Sequence, residues 1–178
     1  MPGFGDPQAR VAIVGLAPAA HGATRTGRRF TGDRSGDWLY RGLHRAGYAN
    51  QPEATGPRDG LQLRDVWVTS AVKCAPPDNR PTAAEQARCR MILGLELEAL
   101  KRLRVIVGLG GLGTMAVARH LDMRPRPRFA HGAEFTIDDG RTLLCSYHVS
   151  QQNTFTGRLT EPMLDAIFAR ARELAAGR

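Results

Sequence analysis

At 178 residues the chain is long enough for one domain with a buried core. Its formal net charge of +8 and pI of about 10.4 favour an anionic partner, of which nucleic acid is the commonest. Met1-Pro2-Gly3-Phe4-Gly5-Asp6 opens no secretion signal, no apolar run is long enough to span a membrane, and three cysteines make no disulfide framework. The expectation is a cytosolic protein with no membrane partner.

Val11-Ala12-Ile13-Val14 predicts a strand over about 11–15. It empties into a long loop, Gly15 to Asp33, that carries His21, Arg25, Arg28, Arg29 and Phe30 among glycines that let a backbone approach a ligand closely. Ser35 is placed to cap a helix from about Gly36 to Ala46, with Leu39 and Leu43 on its apolar face and Gly47 as its stop. Asp33 also reads as a cap or turn residue. A polar loop from Tyr48 to Arg64 precedes a strand at 66–72. The prolines of Cys74-Ala75-Pro76-Pro77-Asp78-Asn79-Arg80-Pro81 forbid regular structure, and Thr82 with Glu85 forms a capping box for a helix to about Leu100. Val105-Ile106-Val107 reads as a buried strand, followed by a helix from Thr114 to Leu121 and a stiff basic loop, Arg124-Pro125-Arg126-Pro127-Arg128. Asp138-Asp139-Gly140 predicts a hairpin joining 133–137 to 141–147, and a last helix runs from Thr160 to about Ala175. The alternation makes one α/β domain over 1–178, with a largely parallel sheet and helices on both faces.

Two polar loops follow strands. The first carries the arginines and Asp33; the second, His148-Val149-Ser150-Gln151-Gln152-Asn153, follows the strand-like run Leu143 to Tyr147. Ligands of open α/β sheets sit outside the strand ends, so the two loops describe one site, for something phosphorylated. Gly108-Leu109-Gly110-Gly111-Leu112-Gly113 matches the dinucleotide fingerprint, but the acidic partner expected after the next strand is missing. A tight strand–helix turn is the simpler explanation, and a dinucleotide-binding oxidoreductase is the weaker alternative. No P-loop, zinc helix or nucleophile elbow is found. Cys74 and Cys89 lie in polar surroundings that suit metal or cluster ligation, whereas Cys145, within a strand, suits the core.

Four stretches together resemble the uracil-DNA glycosylase superfamily, and within it family 5, an iron–sulfur group of bacteria and archaea. They are Pro2-Gly3-Phe4-Gly5-Asp6-Pro7, Gly15-Leu16-Ala17-Pro18 through Phe30-Thr31-Gly32-Asp33, Lys73-Cys74-Ala75-Pro76-Pro77, and His148-Val149-Ser150 through Thr156-Gly157-Arg158-Leu159. The resemblance implies a three-layer α/β/α sandwich around a largely parallel sheet. It also implies hydrolysis of the N-glycosidic bond of uracil, and of other deaminated bases, in DNA. On that basis Phe30 stacks on the extruded base, Asp33 orients or activates water, Asn79 serves catalysis or base contact, and His148 hydrogen-bonds the base carbonyl. Gly15, Ala17, Ser70 and Asn153 are further substrate-binding positions. Arg25, Arg28, Arg29 and Arg158 act on phosphate, by direct contact or as a positive field, and Gln152 or Phe155 is the wedge that fills the space of the flipped base. The expected partner is DNA containing uracil, bound by a monomer.

The chain also departs from the resemblance. Ala17-Pro18-Ala19-Ala20 offers no acidic or amide side chain early in the first loop, where relatives outside the family carry one, which leaves Asp33 or another group to direct water. Val68-Thr69-Ser70-Ala71 offers Ser70 where other families read uracil with asparagine, which implies a looser choice of base. The family carries a 4Fe–4S cluster; Cys74 and Cys89 match two of its ligands, and the Cys-x-x-Cys pair that supplies the others is expected from an upstream continuation of the reading frame. A truncation or a true short form are the alternatives to that expectation. A DNA-binding module with impaired catalysis is the alternative function.

Overall fold

The computed structural model describes residues 1–177, with only the backbone of Asn79. Six strands form one sheet in the order β1-β3-β2-β4-β6-β5. They are β1 (Phe4–Gly5), β2 (Val11–Gly15), β3 (Val66–Ser70), β4 (Val105–Leu109), β5 (Glu134–Thr136) and β6 (Thr142–Ser146). The four inner strands are parallel, and β1 and β5 close the edges antiparallel. Parallel sheets are covered on both faces, so their strands read as continuous apolar runs. β2 and β4 obey this, with every residue buried.

Alternate residues divide into two cores. Val11, Ile13, Val105 and Val107 face one layer, formed by α1 (Arg34–Arg45) and α5 (Glu161–Ala176). Ala12, Val14 and Ile106 face the other, formed by α2 (Ala83–Ala99) and α3 (Gly110–His120). Each fully buried Ile or Leu contributes about 1.5–3 kcal/mol, so this alternation fixes strand register as well as stability. The result is the three-layer α/β/α sandwich with a largely parallel sheet.

β3 ends at Ser70, short of residue 72, and two helix starts also differ from the sequence reading. The cap of α1 is Asp33, not Ser35: its Oδ1 accepts from Gly36 N at 3.0 Å, and Ser35 lies inside the helix. Helix α3 starts at Gly110 instead of Thr114, because glycine lets it ride close to the sheet. A β-carbon on Gly113 would sit 2.7 Å from the Val14 carbonyl oxygen, and this packing accounts for the fingerprint-like glycines. Short elements stand where loops are expected: a π-helical turn at Ala20–Thr24, a 3-10 turn at Pro77–Asn79, and a five-residue helix α4 (Gln151–Phe155). The capping box on α2 forms as read, with Thr82 Oγ1 accepting from Glu85 N and Glu85 accepting from Thr82 N. No helix among the described residues is long and apolar enough to cross a membrane.

Candidate active site

The chain leaving β2, β3 and β6 does so on one side of the sheet, and it walls a single cleft. Ala17, Phe30, Asp33, Ser70 and His148 line it together with Arg29. The cavity is about 50 Å³, several times the roughly 10–15 Å³ that one water requires. A larger groove of about 440 Å³ lies between α2 and α3, but its walls carry alanines, Leu93, Gln86, Arg90 and Arg119, with no carboxylate or imidazole for chemistry. The smaller cleft holds the reactive groups.

The Phe30 ring rests on Gly15, where a β-carbon would come within 2.9 Å of Cζ. Only glycine at the end of β2 gives that floor. Across the cleft, the Phe30 and His148 rings lie 6.2 Å apart at 38°. Phe30 has φ 49°, a left-handed conformation that costs a bulky residue on the order of 1–3 kcal/mol. The neighbouring residues hold it there. Arg28 pairs with Asp59 at 2.6 Å and donates from Nε to Thr31 Oγ1, while the Tyr40 hydroxyl donates to the Arg29 carbonyl at 2.7 Å.

Asp33 stands at the rim. One carboxylate oxygen caps α1; the other faces the π-helical turn, where a β-carbon on Gly22 would lie 2.0 Å from Oδ2. The helix and turn together fix the carboxylate against the cleft. His148 is held through its backbone, because Asn153 Nδ2 donates to its carbonyl at 2.8 Å. Burial brings its imidazole down to about 4, so the ring is neutral at pH 7 and offers one N–H donor. Its ring nitrogens make no hydrogen bond among the described residues, which leaves that donor available to a ligand. Asn153 itself is spent on this brace, so it serves as a positioning residue more directly than as a base contact.

Two of the arginines read as phosphate contacts are corrected by their surroundings. Arg28 is 5% exposed and lies between the Asp59 carboxylate and the rings of Phe4 and Tyr40. Arg29 is 1% exposed; its guanidinium donates to the Met1 and Pro2 carbonyls and to Ser70 Oγ. Burial lowers Arg29 to about 10, opposed by the Glu96 carboxylate, so it stays charged inside the protein. Neither arginine reaches a phosphate without unfolding this loop. Ser70 lines the cleft as expected, yet its hydroxyl accepts from Arg29 and donates to the Val72 carbonyl at 2.5 Å. Little of it is left for reading a base.

Arg25 and Arg158 are exposed. Arg25 donates to the His21 carbonyl, and Arg158 lies over the Tyr147 ring at 4.7 Å. Gln152 and Phe155 stand exposed on α4, the short helix that begins three residues after His148. The side chain of Asn79 lies outside the described residues. Asp59 and Tyr147 were not singled out in the sequence. Asp59 sits in a polar loop far from Arg28 in sequence, and only its position, accepting from Thr55, Gly56 and Leu61 N–H groups, marks it.

The Arg28 guanidinium holds the Asp59 carboxyl well below the usual carboxylate range. Its stabilising effect is therefore present above about pH 4 and fades as pH falls through the lowered value. Asp59→Ala leaves a buried cation alone, and we expect a loss of about 3–5 kcal/mol in urea unfolding at pH 7. A loss below 1 kcal/mol would show that the pair does not hold the Phe30 loop.

Cys74 is exposed and Cys89 half-buried, and Cys89 Sγ accepts from Lys73 N at 3.4 Å. The two thiols therefore belong to adjoining backbone at the end of β3 and on α2. Among the described residues no group of three or more His, Cys, Asp or Glu side chains converges. These residues fit half of a four-thiolate site and no more. Cys145 is buried in β6, as expected.

A family model for the uracil DNA glycosylase superfamily matches residues 2–172. The chain is 51% identical to the type-5 uracil-DNA glycosylase of Mycobacterium leprae over 98% of its length and 78% of that protein's. It is 49% identical to the Thermus thermophilus type-5 uracil-DNA glycosylase, again over 98% of this chain and 80% of the relative. Identity to the Mycobacterium tuberculosis type-5 enzyme is 49% over 98% of this chain, which spans 66% of that relative. With the match running through all four of the stretches that carry the resemblance, the chain belongs to the uracil DNA glycosylase superfamily, in its type-5 group.

Proposed function

We propose that this chain is a DNA glycosylase that hydrolyses the N-glycosidic bond of uracil, and of other deaminated bases, in DNA. The observation that carries the reading is the pairing of Phe30 on its Gly15 floor with a neutral His148 across the cleft, with Asp33 fixed at the rim. A base in a duplex must be extruded before such a cleft can receive it, at about a few kcal/mol. Arg25 and Arg158 hold phosphates and offset that cost. The extruded ring stacks on Phe30, and His148 donates its N–H to the base as negative charge gathers on the leaving group. The Asp33 carboxylate favours the sugar cation and directs water to it.

With no carboxylate or amide in Ala17-Pro18-Ala19-Ala20, Asp33 carries the water-directing part alone in this group of residues. The engaged hydroxyl of Ser70 reads the base weakly, which supports a broad choice of deaminated bases. We assign Asn79 to base contact from its place after β3. The enzyme acts as a monomer in the cytosol. Cys74 and Cys89 would supply two of the four thiolates of a 4Fe–4S cluster, and the other two would have to come from outside the described residues. Reconstitution of this chain with iron and sulfide is expected to give little visible iron–sulfur absorption, and a strong band would show that further ligands complete the site.

Incubation with a uracil-containing oligonucleotide, then alkaline cleavage at abasic sites, tests the function. Strand breaks at uracil are expected, and tight binding without breaks would leave only the DNA-binding module. A second result separates the arginines. Arg158→Gln is expected to weaken binding to all sequences and to make the salt slope shallower by about one unit. Arg29→Gln should leave the slope unchanged and lower stability instead, because its charge is spent inside. Equal slopes for the two variants would reverse the assignment.

A further inference from the structure

Phe155 stands 64% exposed on α4, a short helix with no buried residue. Among the described residues its ring meets the Arg34 guanidinium, whose carbon lies 4.5 Å from the ring centroid. Arg34 is the first residue of α1 and follows Asp33 directly. The contact therefore ties the start of the helix that follows Asp33 to the helix that follows His148, two residues that line the cleft.

Arg158 over Tyr147 is a pairing of the same kind, but other surface arginines are ion-paired. Arg45, Arg141 and Arg170 lie against carboxylates, at 2.8, 2.6 and 2.6 Å. Arg34 has no carboxylate partner among the described residues. A ring under one face leaves the guanidinium's N–H fork in water, and that planar fork matches a phosphate through two parallel hydrogen bonds. An exposed phenylalanine on a five-residue helix would otherwise sample several rotamers; under Arg34 it is held in one place at the cleft mouth.

We infer that Arg34 couples phosphate binding to insertion of Phe155, an inference that rests on the glycosylase reading above. In the unbound protein Arg34 holds the ring at the mouth. When DNA arrives, the guanidinium takes a phosphate of the damaged strand. The ring then fills the gap between base steps that the extruded nucleotide leaves, as apolar wedges do. Arg34 is thus a positioning residue for the wedge and a phosphate contact in its own right.

The test compares single-turnover release of uracil from single-stranded and duplex oligonucleotides by the parent protein, Arg34→Ala, Phe155→Ala, Phe155→Leu and the Arg34→Ala/Phe155→Ala double variant. A single strand needs no gap filled. Both alanine variants should therefore slow release from the duplex by about tenfold or more and release from the single strand by a clearly smaller factor, which for Arg34→Ala reflects the lost phosphate contact. Phe155→Leu should keep the duplex rate, since leucine is also an apolar wedge. The double variant should be no slower than the slower single variant, because the two residues act as one device. Arg34→Ala should also make the salt slope shallower by about one unit.

Equal losses on both substrates, additive losses, or an unchanged slope would overturn the coupling. A parent protein that releases uracil from neither substrate overturns the glycosylase reading instead. In that event, fluorescence of 2-aminopurine beside the uracil still reports unstacking on binding. The coupling predicts a rise with the parent protein that both alanine variants lose, and a rise retained by either variant counts against it.

Discussion

His148→Ala is expected to slow base release by about 10²–10³-fold while DNA affinity changes little. The imidazole faces Phe30 across the cleft and makes no hydrogen bond among the described residues, so its donor is available for the leaving base. It touches no phosphate site, and binding therefore survives its loss. A donor that is neutral at rest becomes most valuable as charge develops on the base, which is why the effect falls on the chemical step. Burial also gives this residue a pH signature. Its folded value of about 4 lies below the ordinary 6.5, so the unfolded chain binds the extra proton first as pH falls. Stability from this group is complete above about pH 6.5 and is lost progressively down to about pH 4, by about 3 kcal/mol in all. Urea unfolding of the parent protein and of His148→Ala at pH 7 and pH 4.5 checks it. The parent should lose more stability between the two pH values than the variant does. Parallel losses would place the imidazole in water, and unchanged single-turnover rates would remove it from catalysis.

How far such a site can be read from sequence is shown best by its arginines. Arg25, Arg28 and Arg29 lie in one glycine-rich loop and look alike as letters, yet one is exposed and two are buried. What separates them is partners that local sequence does not reveal: Asp59, about thirty residues on, and the Met1 and Pro2 carbonyls at the start of the chain. The periodic elements were legible because their signal is local. β2, the α2 capping box and the hairpin at Asp138-Asp139-Gly140 all stand where composition and spacing put them. The π-helical turn and α4 were not, since five residues are too few to show a period. These short elements also aim Asp33 and present Phe155. The least legible backbone is thus the backbone that shapes the site, because it is held by tertiary contacts and not by its own propensity.

Asp33 combines a structural and a chemical duty, and two substitutions are expected to pull them apart. Asp33→Asn keeps an oxygen that can accept from Gly36 N, and asparagine caps helices about as well as aspartate. Its stability should stay close to that of the parent protein. Asp33→Ala removes the cap, and a loss of about 1 kcal/mol is expected. The chemistry should not follow that order. Both variants lack the charge that favours a sugar cation and draws a proton from water, so both should slow uracil release by about 10²–10⁴-fold. Binding should remain, because a carboxylate repels phosphate and its removal takes away no anion contact. The decisive comparison is therefore Asp33→Asn: thermal unfolding near the parent value, with single-turnover release collapsed on both single-stranded and duplex DNA. Retained turnover in that variant would reduce Asp33 to a helix cap. The water-directing role would then pass to another group at the cleft, since Ala17-Pro18-Ala19-Ala20 supplies neither an acid nor an amide.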